Sequence, residues 1–272
     1  MVNTNIAEKI NMRSLFNDVH KCAALFLIDT SQSVKLYSTD MASAVKEMLE
    51  TVASDEVCQE RMDIGIMTFN KRTELLRPIS PISPDDDFDY SFECRGRTSI
   101  GTAVFDALAE IQKRIDYYHE SYEEEPYVPK LIIITDAKPL PPDSETDAER
   151  ERLEKAYTEL HDMVAQREIY VMTVGVGENL DNDNLKKLNG GDVSGDPFTI
   201  GSEMDEIKKL FKALGTSITL AAQTGDMLSN NSFQEQLDDI DPDFEEDWDD
   251  ETVSGSDRSF DAYASTDDCP LF

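Results

Sequence analysis

Leu25-Phe26-Leu27-Ile28-Asp29-Thr30-Ser31-Gln32-Ser33 runs four apolar residues directly into an aspartate and, at alternate positions after it, two serines. A short, uniformly apolar run bounded by polar turn residues suits a strand buried on both faces. The stretch therefore predicts a strand over residues 23–28, ending in a loop whose oxygen-bearing side chains point one way. A carboxylate and two hydroxyls are hard donors, better matched to Mg2+ or Mn2+ in octahedral oxygen coordination than to zinc. The same residue types are ordinary helix N-caps, so Asp-x-Ser-x-Ser alone does not separate a metal loop from a cap.

Working outward, Val34, Met41, Val45, Met48, Leu49 and Val52 recur at three- and four-residue steps, the pattern of an amphipathic helix lying on a sheet. Residues 61–69 alternate like a strand. A turn at Asn70-Lys71 then leads into residues 73–77, predicting a hairpin with an antiparallel edge strand. Residues 78–94 hold three prolines and Asp85-Asp86-Asp87 and are expected to be mostly solvated loop. The glycine and terminal glutamate of an EF-hand are absent. Gly96-Arg97-Thr98-Ser99-Ile100-Gly101-Thr102 opens a helix with Val104, Leu108, Ile111 and Ile115 inward, for which Thr98 or Thr102 is an available cap.

Leu131-Ile132-Ile133-Ile134 is apolar throughout and largely β-branched, as expected of a buried parallel strand. It ends in Thr135-Asp136-Ala137, which places a second aspartate at the end of a second such strand. A helix over 147–166, a strand over 169–176, a short helix over 185–188, a short strand over 197–200 and a helix over 204–220 complete the alternation. Strand and helix alternating over residues 23–220 predict a doubly wound α/β fold: a mostly parallel sheet, helices on both faces and one antiparallel edge strand. Residues 1–21 read as a lead-in, 22–222 as the domain and 223–272 as an acidic tail. In such a fold, ligands sit outside the carboxyl ends of the strands. Asp29, Asp136 and the helix-opening loop with Thr98 all fall on that edge, and three independent caps would converge there only by accident.

These residues resemble the metal-ion-dependent adhesion site (MIDAS) of the von Willebrand factor A domain family, whose pattern is an Asp-x-Ser-x-Ser loop, a distant Thr in a Gly-rich loop and an Asp after a buried strand. Asp29, Ser31, Ser33, Thr98 and Asp136 occupy those positions in that order. The likeness covers residues 23–220. Gln32, Val34, Arg97 and Ala137 depart from commoner family residues, and Arg97 puts a cation beside the site. Within the family, Ile64-Gly65-Ile66-Met67-Thr68-Phe69-Asn70 and Thr173-Val174-Gly175-Val176-Gly177 are most similar to the bacterial tellurite-resistance TerY-type group. The resemblance implies a divalent cation on the Ser31, Ser33 and Thr98 hydroxyls, with Asp29 and Asp136 bound directly or through water. One position stays open for an Asp or Glu of a partner protein. The implied activity is binding, not turnover.

Composition narrows the partners. With 25 Lys and Arg against 57 Asp and Glu, the chain carries a net charge of −32, which nucleic-acid phosphates and anionic membranes repel. Cys22, Cys58, Cys94 and Cys269 form no C-x-x-C pair, and neither a zinc ribbon nor a disulfide framework fits them. With no signal-like or membrane-length apolar stretch, a cytosolic location is expected. Residues 227–272 hold fifteen acidic residues against the single Arg258, a composition that favours disorder. Phe233, Leu237, Ile240, Phe244 and Trp248 interleave with that acid like a recognition segment, which suggests that a tail carboxylate fills the metal position and drives autoinhibition or self-association.

The main rival is a Mg2+-dependent phosphatase-like hydrolase using Asp29. Ser31 stands where such chemistry needs a second aspartate as general acid. Gly175-Val176-Gly177 lacks the third small residue of a dinucleotide loop, there is no Gly-Lys-Ser/Thr phosphate loop, and His20, His119 and His161 have no Ser or Cys motif beside them.

Overall fold

Strand β1 (Cys22–Asp29) is buried at every position, and its alternating side chains divide between two cores. Ala24, Phe26 and Ile28 face one, while Ala23, Leu25 and Leu27 face the other. The computed structural model describes residues 19–139 and 146–226 together with Phe233, Glu235 and Leu237. Within these residues, a 3₁₀ turn (Gln32–Tyr37) and helix α1 (Ser38–Ser54) follow β1. Then come α2 (Glu56–Arg61), β2 (Met62–Phe69), β3 (Thr73–Pro81), α3 (Ile100–Ser121) and β4 (Lys130–Thr135). The order closes with α4 (Thr146–Ala165), β5 (Tyr170–Val176), α5 (Asn182–Leu188), β6 (Phe198–Ile200) and α6 (Met204–Thr224).

Among the described residues the strands form one sheet in the order β3-β2-β1-β4-β5-β6. Every pairing is parallel except β2 with β3. Helices α1 and α6 cover the face that holds Phe26, Ile132 and Ile134. Helices α3, α4 and α5 cover the face that holds Leu25, Leu131 and Ile133. The doubly wound α/β sheet with one antiparallel edge strand is thus observed. Strand order reverses at β1, where chain paths leave for both sides of the sheet and a crevice opens at the carboxyl ends.

Three local features differ from the sequence expectation. Helix α2, six residues capped by Asp55 through the Cys58 N–H at 2.8 Å, is too short to show a period. Strand β3 runs on to Pro81, because an edge strand tolerates prolines whose missing N–H would face away from its partner. The stretch after it is not simply solvated. Ile82, Phe88 and Phe92 are buried, and Arg77 donates to Asp86 Oδ2 at 2.9 Å, so one member of the acidic triplet pairs with a guanidinium.

Phe233, which the composition assigns to the tail, is fully buried with its ring 4.5 Å from that of Phe198, and Leu237 packs on the same core. The lead-in over 1–18 and the acidic stretch after Leu237 lie outside the described residues.

Candidate metal centre

β1 and β4 run parallel with Ile28 opposite Ile134, so Asp29 and Thr135 emerge side by side at the carboxyl edge. The Thr135 hydroxyl donates to Asp29 Oδ2 at 2.6 Å, and the Ser31 N–H donates to Oδ1 at 2.8 Å, fixing the carboxylate from both sides. Asp29 is 1 % exposed. Burial pushes its carboxyl up to about 6; the Thr135 and Ser31 hydrogen bonds oppose that rise and the Asp136 charge adds to it.

Ser31 occupies the N-cap position of the 3₁₀ turn, yet its side chain makes no capping bond. The Ser31 and Ser33 hydroxyls instead lie 2.9 Å apart. Asp55 and Asp181, by contrast, do cap their helices with side-chain bonds.

The loop carrying Thr98 is bound against this turn through its backbone. Arg95 N–H donates to Thr30 O at 3.0 Å, Gln32 N–H to Gly96 O at 3.1 Å and Ser99 N–H to Asn70 O at 2.9 Å. Thr98 is buried, whereas Arg97 is exposed. The N-cap position of α3 belongs to Ser99, again without a side-chain cap. Thr102 is otherwise engaged: its N–H and hydroxyl reach Glu149 of α4 at 3.0 and 2.7 Å. Glu149, from another helix, therefore satisfies the start of α3, and Thr98 lies buried in the loop before it without being its N-cap.

Asp136 is 2 % exposed. Its Oδ1 accepts from the Lys138 N–H at 3.2 Å, while the buried Oδ2 has no hydrogen-bond partner and lies 3.5 Å from Lys138 Nζ in an ion pair too long to be a hydrogen bond. Ala137 adopts φ 56°, a left-handed conformation that costs a non-glycine residue about 1 kcal/mol and is often held at functional sites.

The structure thus joins Asp29, Ser31, Ser33 and Asp136 at one strand edge and brings the Thr98 loop against them. Among the described residues no three His, Cys, Asp or Glu side chains cluster to hold a metal, so the donor set here is two carboxylates with hydroxyls. Three supporting residues escaped the sequence reading. Thr135 orients Asp29. Thr30 donates to Phe69 O at 3.1 Å and accepts from Asn70 Nδ2 at 3.1 Å. The Tyr37 hydroxyl reaches Val176 O at 3.1 Å, and burial, with the Asp136 and Asp29 charges, pushes that phenol up to about 12. Hydroxyls inside two quoted stretches, Thr30 after Asp29 and Thr135 before Asp136, were the available signals.

The von Willebrand factor type A domain model matches residues 25–213. The chain belongs to that family. Among solved structures, proximal thread matrix protein 1 of the mussel byssus, with a zinc occupied MIDAS motif, superposes with a TM-score of 0.52 at 15% identity, over 74% of this chain and 48% of the mussel chain. A von Willebrand factor type A protein of Catenulispora acidiphila gives 0.51 at 16% identity, over 73% and 43%. The domain of the pilus tip protein Mfa5 of Porphyromonas gingivalis gives 0.52 at 10% identity, over 77% and 99%. At such identities the likeness is one of fold, and the chain spans about half the length of the first two. No curated protein sequence matches the chain.

Proposed function

We propose that this von Willebrand factor A domain chain is a protein-interaction module that holds a divalent cation, Mg2+ or Mn2+, on Asp29, Ser31, Ser33, Thr98 and Asp136, and takes a carboxylate from a partner protein. The observation that carries the reading is the buried Asp136 Oδ2, which accepts no hydrogen bond, on the strand edge shared with Asp29. An unsatisfied buried carboxylate oxygen costs several kcal/mol unless a cation meets it. Lys138 meets it only at ion-pair distance. The Ser31 and Ser33 hydroxyls, paired with one another and capping nothing, fit the same hard cation.

A bound cation supplies an electrophile whose charge two carboxylates balance, so that a further anion is welcome. The chain's own residues do the positioning. Thr135 and the Ser31 N–H hold Asp29 in place, and the three backbone bonds of the 95–99 loop hold Thr98 beside it. Ser31 stands where phosphatase-like chemistry needs a second aspartate as general acid, which favours binding over hydrolysis. A cytosolic location and a place in a tellurite-resistance-like stress system follow from the sequence resemblance alone. The net charge of −32 disfavours nucleic acid and anionic membranes as partners, and no helix among the described residues is long and apolar enough to cross a membrane. The acidic stretch after Leu237 is proposed as a second binding segment through which copies associate.

Titration calorimetry tests the centre. Wild type is expected to bind Mg2+ and Mn2+, and Asp29→Ala and Thr98→Val to lose at least tenfold in affinity. Equal affinity in all three proteins sinks the assignment. Partner capture with and without chelator, alongside a phosphatase assay with Mg2+, separates module from hydrolase: metal-dependent turnover that Asp29→Ala abolishes would favour the enzyme.

A further inference from the structure

A 3₁₀ turn advances three residues per turn, so residues i and i+3 lie above one another. In the turn Gln32–Tyr37, Val34 and Tyr37 form the buried row. Gln32 with Lys35, and Ser33 with Leu36, form the two exposed rows. Leu36 is 93 % exposed, more than any other large apolar side chain among the described residues. It stands in the same row as Ser33, about 6 Å along the turn. A lone exposed leucine needs no explanation; one aligned with a hydroxyl of the metal centre lies where anything bound there must pass.

The surroundings of Leu36 are basic in a chain of net charge −32. Lys35 shares its turn, Lys71 and Arg72 follow β2, and Arg95 and Arg97 precede α3. Lys71 lies next to Gly96, whose carbonyl accepts from the Gln32 N–H, so the loops form one continuous rim. Lys35, Lys71 and Arg72 are exposed and make no ion pair among the described residues. Arg95 pairs with the equally exposed Glu93 at 3.4 Å. The other side of the centre, the loop after β5 and the first turn of α5, carries Glu178, Asp181 and Asp183 instead. The rim is therefore polar in charge as well as apolar at one point.

Residues 238–250 read Asp-Asp-Ile-Asp-Pro-Asp-Phe-Glu-Glu-Asp-Trp-Asp-Asp, nine acids interleaved with Ile240, Phe244 and Trp248. We propose that Leu36, Lys35, Lys71 and Arg72 form a docking surface for this segment of a second copy of the chain, with acids on the bases and an aromatic side chain on Leu36. The contact of one further carboxylate with the cation rests on the metal centre proposed above. A second copy is favoured over the same molecule by the layout of the sheet. Phe233, four residues before Leu237, packs its ring on Phe198 of β6, the edge strand on the far side of the sheet from β2 and β3. Four strand spacings, about 19 Å, separate β6 from β2; the segment is long enough to cross them, but within one molecule it would meet the acidic loop after β5, whose charge repels it, before it reached the basic rim. Acid segment to basic rim joins unlike surfaces, so copies can exchange segments in a closed pair or link head to tail into rings or open chains.

The sequence contains one tryptophan, Trp248, so its fluorescence reports on the segment in the full-length protein. In Mg2+, sedimentation velocity over a dilution series should show association growing with concentration, and Trp248 becoming shielded from acrylamide in step. Leu36→Ser, and separately Lys71→Glu with Arg72→Glu, should weaken association about tenfold or more, with Mg2+ binding unchanged by calorimetry. A chain that stays monomeric, association indifferent to both rim variants, or Trp248 shielding that is the same at every dilution overturns the proposal. Calorimetry on the same samples keeps the two readings apart. Absent Mg2+ binding condemns the centre, whereas normal Mg2+ binding with rim-insensitive association condemns the docking surface alone.

Discussion

Asp29 carries two opposed demands. It is nearly sealed from water, which favours the neutral acid, and it is fixed by donors that favour the carboxylate; burial wins and raises the carboxyl to about 6. Folding therefore takes up a proton between about pH 4 and pH 6. The stability this contributes is full below the ordinary carboxyl range and is lost as pH rises through about 6, a difference of about 3 kcal/mol. In metal-free protein Asp29→Asn removes this dependence, because the amide never ionises. Urea denaturation in chelator should find the variant more stable than wild type at pH 8 and the gap closed or reversed at pH 4. A constant difference across that range would contradict the buried acid. The types and order of the five site residues were visible in the sequence because an Asp-x-Ser-x-Ser loop after an apolar strand is a local pattern. Whether Ser31 and Thr102 cap the turn and the helix they precede was not visible, since it turns on where a hydroxyl points: Ser31 toward Ser33, Thr102 toward Glu149.

Elements were legible where periodicity is long or burial complete. β1 and β4 are apolar enough to be read directly, and α6 shows its inward row. The polar contents of the core were harder to foresee. Asp63 on β2 is fully buried, and the donors to its Oδ2, Arg114 and Tyr118 of α3, lie 51 and 55 residues further on, while its Oδ1 accepts no hydrogen bond. No window of sequence spans that pairing. The α3–α4 contact is another such case. A Cβ on Gly101 would sit 2.5 Å from Leu153 N and 2.7 Å from its Cα, so glycine is what lets the two backbones approach. The same approach brings Glu149 to Thr102 and anchors the start of α3 directly after the Thr98 loop. Gly101→Ala is accordingly expected to cost about 2 kcal/mol or more, since backbone atoms cannot yield as a side-chain tip can. A denaturation midpoint matching wild type would show that the helices separate freely.

For the whole molecule, average composition and actual burial part company at the carboxyl side. Residues 223–272 read as tail because acid and serine dominate the mean, yet a core takes residues one at a time. β6 is only three residues long and leaves Phe198 on an edge, where the ring of Phe233 covers it at 4.5 Å. Truncating a fully buried phenylalanine forfeits its transfer energy and leaves a cavity, about 3–5 kcal/mol. Phe233→Ala should therefore lower the urea midpoint sharply, whereas Leu36→Ser, at 93 % exposure, should stay within about 0.5 kcal/mol of wild type. The contrast also decides how the acidic segment is to be removed. A chain ended after Asp226 loses Phe233 with the acids, and its behaviour would mix core damage with lost association; one ended after Leu237 removes the acidic segment and keeps both Phe233 and Leu237. If Phe233→Ala proved as stable as wild type, the core would close at α6, and the shorter chain would be the right one to compare.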